Sequence, residues 1–135
     1  MDNKLRETTH KKVYYVDGSI NKDIREEFKR RMEKEDNVII VASYGTFSTG
    51  ISIKNIHNIF FTESFKSEVI IRQSIGRGLR KHHTKSHVKI FDFIDDIRYQ
   101  NSEADWLNYV YKHSIQRRKI YKEEKFPCEV QSIRF

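Results

Sequence analysis

One cysteine, one proline and five glycines are all that 135 residues hold of the types that most constrain or release a chain. The lone thiol, Cys128, excludes an internal disulfide and a cysteine-based zinc cluster, and suits a reducing compartment. So little proline and glycine excludes collagen-like and low-complexity architectures, and no internal repeat is visible. No apolar run approaches the roughly 20 residues of a membrane-spanning helix, so no membrane partner is expected. Residues 1–12 are polar and lack the apolar stretch of a secretory signal, which points to a cytoplasmic location. His82, His83 and His87 have no acidic or cysteine partner at ligand spacing, so no metal site is expected there.

What the chain has in quantity is positive charge. Its formal net charge is +7, with an isoelectric point near 9.5. That balance favours a polyanionic partner, nucleic acid or anionic lipid. The length suits one hydrophobic core of modest size.

Apolar runs and periodicities divide the chain into elements. Residues 5–12 read as the end of a helix, and 13–16 as a buried strand broken by Asp17, Gly18 and Ser19. Ile20, Ile24, Phe28 and Met32 recur every fourth position, predicting an amphipathic helix over 21–33 with Asn21 as N-cap. Residues 38–42, Val-Ile-Ile-Val-Ala, form the most apolar run and suit a central parallel strand buried on both faces. The hydroxyl- and glycine-rich stretch 43–52, S-Y-G-T-F-S-T-G-I-S, follows as a loop. It sits at a strand's carboxyl end, where open α/β sheets bind ligands.

Residues 56–62 read as another buried strand and 88–94 as a further strand. Asp95 and Asp96 read as structural carboxylates rather than a metal pair. A long helix is predicted over 102–125, with Trp106, Tyr109, Val110, His113 and Ile120 on its apolar side and Arg117, Arg118 and Lys119 on a basic one. Phe126 and Pro127 end it, and 129–135 form a last short strand or stay loose. Helical crossovers between apolar strands imply an α/β layered sheet.

Residues 68–81, E-V-I-I-R-Q-S-I-G-R-G-L-R-K, organise the rest. Ile71, Ile75 and Leu79 recur at helical spacing as a buried stripe. At about 100° per residue, Gln73, Arg77 and Arg80 fall on the opposite face. A solvated basic face would explain the charges. It does not explain Gly76 and Gly78, each costing about 1 kcal/mol against alanine in a helix. Glycines there suit close approach by a backbone or ligand, and guanidiniums suit phosphate oxygens.

Three segments, in this order, resemble motifs of the second RecA-like domain of superfamily 2 helicases. V-Y-Y-V-D-G-S-I-N-K-D-I-R-E-E-F resembles the strand–turn–helix unit of that domain, with Arg25 as its helix arginine. A-S-Y-G-T-F-S-T-G-I-S-I-K-N-I-H-N-I resembles motif V, and Q-S-I-G-R-G-L-R resembles motif VI, Q-x-x-G-R-x-x-R. Together they span residues 13–92. The style of motif V, with G-R-x-L-R-K-H and D-x-I-D-D after it, is that of phage recombination helicases.

The resemblance implies a RecA-like parallel sheet flanked by helices, lacking its first strand and carrying a long C-terminal helix. Residues 1–100 would be the RecA-like domain and 101–135 a helical extension. It implies that Arg80, with Arg77 beside it, is an arginine finger for ATP hydrolysis, and that Gln73 orients groups near the phosphates. Gly50, Ser52 and Gly76 would couple the nucleotide cleft to DNA. Ser52 departs from the family, where many members have Asp, which leaves that position's role open. Ser48, Thr49, Ser43 and Arg25 would meet nucleic acid.

There is no G-x-x-x-x-G-K-S/T and no D-E-x-H, so ATP and Mg2+ would be held by a first RecA-like domain, in cis or in trans. This chain alone would bind neither and would be inactive. The implied substrate is branched or single-stranded DNA, with an RNA–DNA hybrid a further candidate, in the cytoplasm of a bacterial host if phage-encoded. Two alternatives stay open: a stand-alone basic nucleic-acid-binding module, and the motor of a restriction- or chromatin-type translocase.

Overall fold

The computed structural model describes residues 2–50, 52–96 and 109–133. Along the chain run α1 (Asp2–Thr8), β1 (Lys12–Val16), α2 (Lys22–Met32), β2 (Val38–Ala42), a π-helical turn (Thr46–Gly50), β3 (Asn58–Phe61), α3 (Glu68–Gly78), β4 (Lys89–Asp92) and α4 (Tyr109–Glu123). The predicted alternation is therefore present. The expected start of α4 at 102, and Trp106 with it, lie outside the described residues.

Local chemistry explains the boundaries. Asn21 caps α2, its side chain accepting from the Asp23 amide at 2.7 Å. Ser67 caps α3 in the same way. At the end of α4, Lys125 takes a left-handed φ of 56°. The Phe126 amide then reaches back to the Tyr121 carbonyl at 3.0 Å, and Phe126 packs on the core. That is a Schellman closure with its usual apolar contact.

Two helical expectations need correction. Ile24 is 59% and Leu79 55% exposed. On α3 the buried positions are Ile71, Ser74, Ile75 and Gly78, the i, i+3, i+4, i+7 pattern of a true helix face. The four-residue spacing drifts off that face by its third repeat, and Leu79 already lies past the helix as its C-cap.

The sheet differs more. Among the described residues both strand pairings are parallel, and they form two separate two-stranded sheets, β1–β2 and β3–β4. β2 is an edge strand whose five residues are all half-buried, rather than a central strand covered on both faces. β3 is buried on one face only: Ile59 and Phe61 point inward, and Phe60 is exposed. Phe60 stacks on Phe91 across the pair, with centroids 4.7 Å apart.

The interior has two clusters. Ile59, Phe61, Ile71, Ile75, Ile120 and Tyr121 join β3, α3 and α4, and Val16, Met32 and Ile53 join β1, α2 and the 52–57 connection. Ile56 packs against both.

Candidate functional site

α3 presents the motif-like residues, and its packing determines which face they occupy. A Cβ at Gly78 would lie 2.7 Å from Ile59 Cδ1 and 3.2 Å from Val88 Cγ1. This glycine lets the end of α3 press onto β3. A Cβ at Gly76 would meet nothing within 4 Å, and Gly76 and Gln73 are exposed. So one glycine serves the core and the other leaves the outer face bare.

The C-terminal end of α3 is held from below. Lys85 Nζ donates to the Gly78 carbonyl at 2.6 Å and the Ile56 carbonyl at 2.9 Å. A cation there satisfies a carbonyl left over by the helix and complements the negative end of its dipole. Burial lowers the Lys85 pKa. Beyond that anchor the chain turns, the Arg80 amide reaching the Arg77 carbonyl at 3.4 Å, and Arg80 emerges exposed.

Arg80 Nη1 donates to Ser52 Oγ, which joins the motif VI-like segment to the motif V-like one. Arg77 is half-buried. Its pKa is lowered first by burial and then by the neighbouring Arg80 charge. Two guanidiniums that disfavour one another across a partly dry surface favour an anion placed between them. Such a pair suits phosphate oxygens. It offers nothing to Mg2+, which takes oxygen ligands such as carboxylates.

A second group surrounds the π-helical turn. Ser43 Oγ donates to Thr46 Oγ1 at 2.8 Å and accepts from the Thr46 amide at 3.3 Å. The Phe47 amide bonds the Ser43 carbonyl at 2.8 Å. The Ser43 hydroxyl is thus engaged in shaping the turn. Arg25 lies against Gly50, where a Cβ would come within 3.1 Å of its Nη1, and its Nη2 donates to the Ile20 carbonyl at 3.0 Å. Its buried Nε has no acceptor. Arg25 therefore packs against the turn, where Gly50 makes room for it. Ser48 and Thr49 lie in the turn; their side chains are outside what the structure describes. The turn packs on α3, which brings the two groups side by side. π-turns of this kind recur at functional sites.

The sequence reading missed the best-buried charge among the described residues. Arg117, placed there on a basic face of α4, is fully buried. Its Nε and Nη2 donate to the two carboxylate oxygens of Asp92, each at 2.8 Å, and its Nη1 donates to the Phe65 carbonyl at 3.0 Å. The Tyr121 hydroxyl donates to Asp92 at 2.9 Å, and burial pushes its pKa up. This clamp fastens α4 to the end of β4 and to the loop that leads into α3. A signal was available: Arg117 is in helical phase with His113 and Ile120, not with the exposed Lys119. Arg72 adds a second tie between α3 and α4, bonding Glu123 at 3.1 Å and pairing with Glu124.

Among the described residues no group of acids, histidines or cysteines could hold a metal ion, and no helix is long and apolar enough to cross a membrane.

Comparison with known proteins adds to this geometry. A family model described as the helicase conserved C-terminal domain matches residues 1–82. The ATP-dependent DNA helicase uvsW of Enterobacteria phage T4 is 41% identical over 135 residues, covering 96% of this chain and 27% of that protein. The putative ATP-dependent helicase IRC3 of Saccharomyces cerevisiae is 35% identical over 89 residues, covering 59% of this chain and 13% of that protein. The chain thus spans 27% or less of the length of these curated relatives. The crystal structure of the C-terminal part of the Fun30 ATPase domain aligns with a TM-score of 0.60 at 17% identity, over 90% of this chain and 43% of that one. At that identity the likeness speaks for the RecA-like α/β fold alone.

Proposed function

The chain belongs to the helicase conserved C-terminal domain family, and from that premise we propose that it is the C-terminal motor half of an ATP-dependent DNA helicase or translocase of superfamily 2. In this reading residues 1–100 are the second RecA-like domain and 101–135 its helical extension. ATP and Mg2+ are held by a first RecA-like domain, which has the phosphate loop and acidic motif this chain lacks. When bound, ATP supplies a γ-phosphoryl group for attack by water.

This chain's part is electrostatic. Arg80 reaches the γ-phosphate as the arginine finger, Arg77 stands beside it, and Gln73 orients groups at the same wall. Gly76 leaves the space that the other domain needs. Gly50 and Ser52 transmit closure of the cleft to DNA. Ser43, Ser48, Thr49 and Arg25 form or support the strand-binding side. The likeness to a phage DNA helicase supports DNA as the track and forks, R-loops and recombination junctions as substrates.

The observation that carries the reading is the Arg80–Ser52 hydrogen bond, with Arg77 alongside. It parks the finger on a neutral hydroxyl. The guanidinium makes this bond charge-assisted already, but a hydroxyl adds no opposite charge, as a carboxylate would. A serine therefore holds Arg80 more loosely than the Asp common in the family, and releases it to phosphate more readily.

The test pairs this chain with a first RecA-like domain and measures DNA-stimulated ATP hydrolysis. Arg80→Ala is expected to lower turnover by roughly 10³- to 10⁵-fold, as for other arginine fingers, with DNA affinity nearly unchanged. Full turnover in Arg80→Ala would remove the finger assignment. The net charge of +7 also favours a second reading, a basic nucleic-acid-binding module without ATPase activity. Salt-sensitive DNA binding with no hydrolysis in the paired assay would select it.

A further inference from the structure

The β3–β4 pair is covered on one face and bare on the other. Ile59 and Phe61 point into the core with α3 and α4. The alternate residues point the other way. There Phe60, Phe91 and Phe93 are 55%, 42% and 53% exposed. Phe60 lies nearly parallel to both neighbours, at 9° to Phe91 with centroids 4.7 Å apart and at 14° to Phe93 with centroids 6.3 Å apart. At about 150–250 Å² per phenylalanine, the three leave roughly 300 Å² of ring in water. Contiguous apolar patches of that size are often functional.

The border of the patch says what fits it. On β4 and just beyond it the outward row is Lys89, Phe91, Phe93 and Asp95: cation, ring, ring, anion at every second residue. Lys89 is level with Asn58 in the strand pairing and lines a cleft with it at one end of the face. Phe93 and Asp95 line another cleft with Thr62 and Glu63 at the opposite end. Reversed, the row is its own complement: Lys89 meets Asp95, and Phe91 meets Phe93.

We propose that this face is an interface between two copies of the chain, packed sheet on sheet about a two-fold axis that runs across the strands. Such an axis sets β4 antiparallel to its counterpart and lays the two rows over one another in opposite directions. Lys89 of each copy then pairs with Asp95 of the other, the Phe91 rings pack on the Phe93 rings, and Phe60 packs on its own counterpart. Each unlike pair occurs twice, as an isologous interface requires. Stacked sheets lie about 10 Å apart with their inner side chains interdigitated, a space that rings from both sheets fill. A carboxylate accepts from more than one donor, so Asp95 takes the lysine of the second copy beside the interaction it has within its own chain.

A nucleic-acid strand fits this face less well. Bases stack on free ring faces, and these near-parallel rings already turn part of their faces to one another. Asp95 and Glu63 also repel phosphate at one end. The aromatic area falls short of the roughly 800 Å² per partner of a standard interface, so the charged rim contributes and the dimer is a weak one. The inference rests on the outer face of β3 and β4 and stands whether or not Arg80 is a finger.

The test is sedimentation equilibrium on the chain and its variants, with circular dichroism confirming that each stays folded. The chain is expected to dimerise with a Kd on the order of 100 µM, as suits a small interface. Phe60→Ser should weaken association at least about tenfold, because it removes the ring at the centre of the interface. Lys89→Glu and Asp95→Lys should each weaken it about as much, since either one sets two like-charged pairs face to face. Mixed in equal amounts, these two variants should dimerise again, each offering the charge that the other lacks. Net charge alone predicts the reverse for Lys89→Glu, which makes a basic chain less positive and so less self-repelling. A chain that stays monomeric at concentrations on the order of 1 mM overturns the proposal. So does a dimer indifferent to Phe60→Ser, or a mixture of the two charge variants that fails to pair. A single-stranded oligonucleotide that binds the monomer, and is lost in Phe60→Ser, would assign the face to nucleic acid instead.

Discussion

Replacing Asp92 by alanine tests the clamp that seats α4. The Arg117 side chain is 0% exposed and makes three hydrogen bonds, two of them to Asp92. Asp92→Ala leaves that guanidinium buried with the Phe65 carbonyl and the Phe65 ring, 5.4 Å from its carbon, as what remains of its shell. The Tyr121 hydroxyl loses its acceptor in the same step. Breaking a buried pair by removing one partner costs about 3–5 kcal/mol, set against a total stability of roughly 5–15 kcal/mol for a domain. With a urea slope of about 2 kcal/mol per molar, the midpoint should fall by roughly 2 M.

Arg117→Met should cost less, because Asp92, with a side chain 12% exposed, keeps Tyr121 and gains water. The double variant should recover part of the loss, since an apolar replacement of a buried pair is often neutral. The cycle is then non-additive by at least about 1 kcal/mol. The assay is urea unfolding followed by far-UV circular dichroism, with the slope checked for constancy. A loss below about 1 kcal/mol for Asp92→Ala, or strict additivity, would show that the pair is not the buried anchor described here.

The two glycines of α3 should respond with opposite signs. Gly76→Ala adds a methyl to open space and should stabilise the chain by up to about 1 kcal/mol, while slowing ATP turnover in the reassembled motor if another domain must approach there. Gly78→Ala drives a methyl into Ile59 and Val88 and should lose about 1–2 kcal/mol net, overpacking outweighing propensity; thermal melts of the pair decide. Lys85→Met removes two charge-assisted bonds, one to the end of α3 and one to the Ile56 carbonyl, and should cost about 1–3 kcal/mol, a melt unchanged from the parent counting against that cap.

The raised Tyr121 pKa predicts an alkaline limit. The folded state keeps this proton more tightly than the unfolded state, so the contribution is full below about pH 10 and is lost as pH rises above it. Ultraviolet titration should show one tyrosine ionising only with unfolding, and Tyr121→Phe should remove that step.

Local patterns and distant pairings were not equally legible. The helix cap at Asn21, the strand runs and the outward facing of Gln73 depend on residues a few positions apart, and periodicity reports those. Arg117 and Asp92 are 25 residues apart, and nothing in either neighbourhood announces the other. An arginine followed directly by Arg118 and Lys119 reads as solvated until its phase on the helix is compared with Ile120. Leu79 shows the converse error: an apolar residue at the right interval, misplaced because the helix had already ended.

β2 is where composition and structure disagree most usefully. Its sequence specifies burial on both faces, and among the described residues it pairs with one strand. Tertiary context usually overrides propensity by supplying contacts that local chemistry did not predict; here, among the described residues, a second strand contact that the chemistry implies is absent. Tyr44 and Asn55 join the segments around the two half-sheets through side chains. A further join of this kind lies at the candidate site. The π-turn leaves the end of β2 and packs on α3, while α3 is seated on β3 through Gly78. The Arg80–Ser52 hydrogen bond then joins the segment after β2 to the end of α3. Ser52→Ala should loosen that join, raising amide exchange at the end of α3; unchanged exchange would show that the hydroxyl does not couple the two segments.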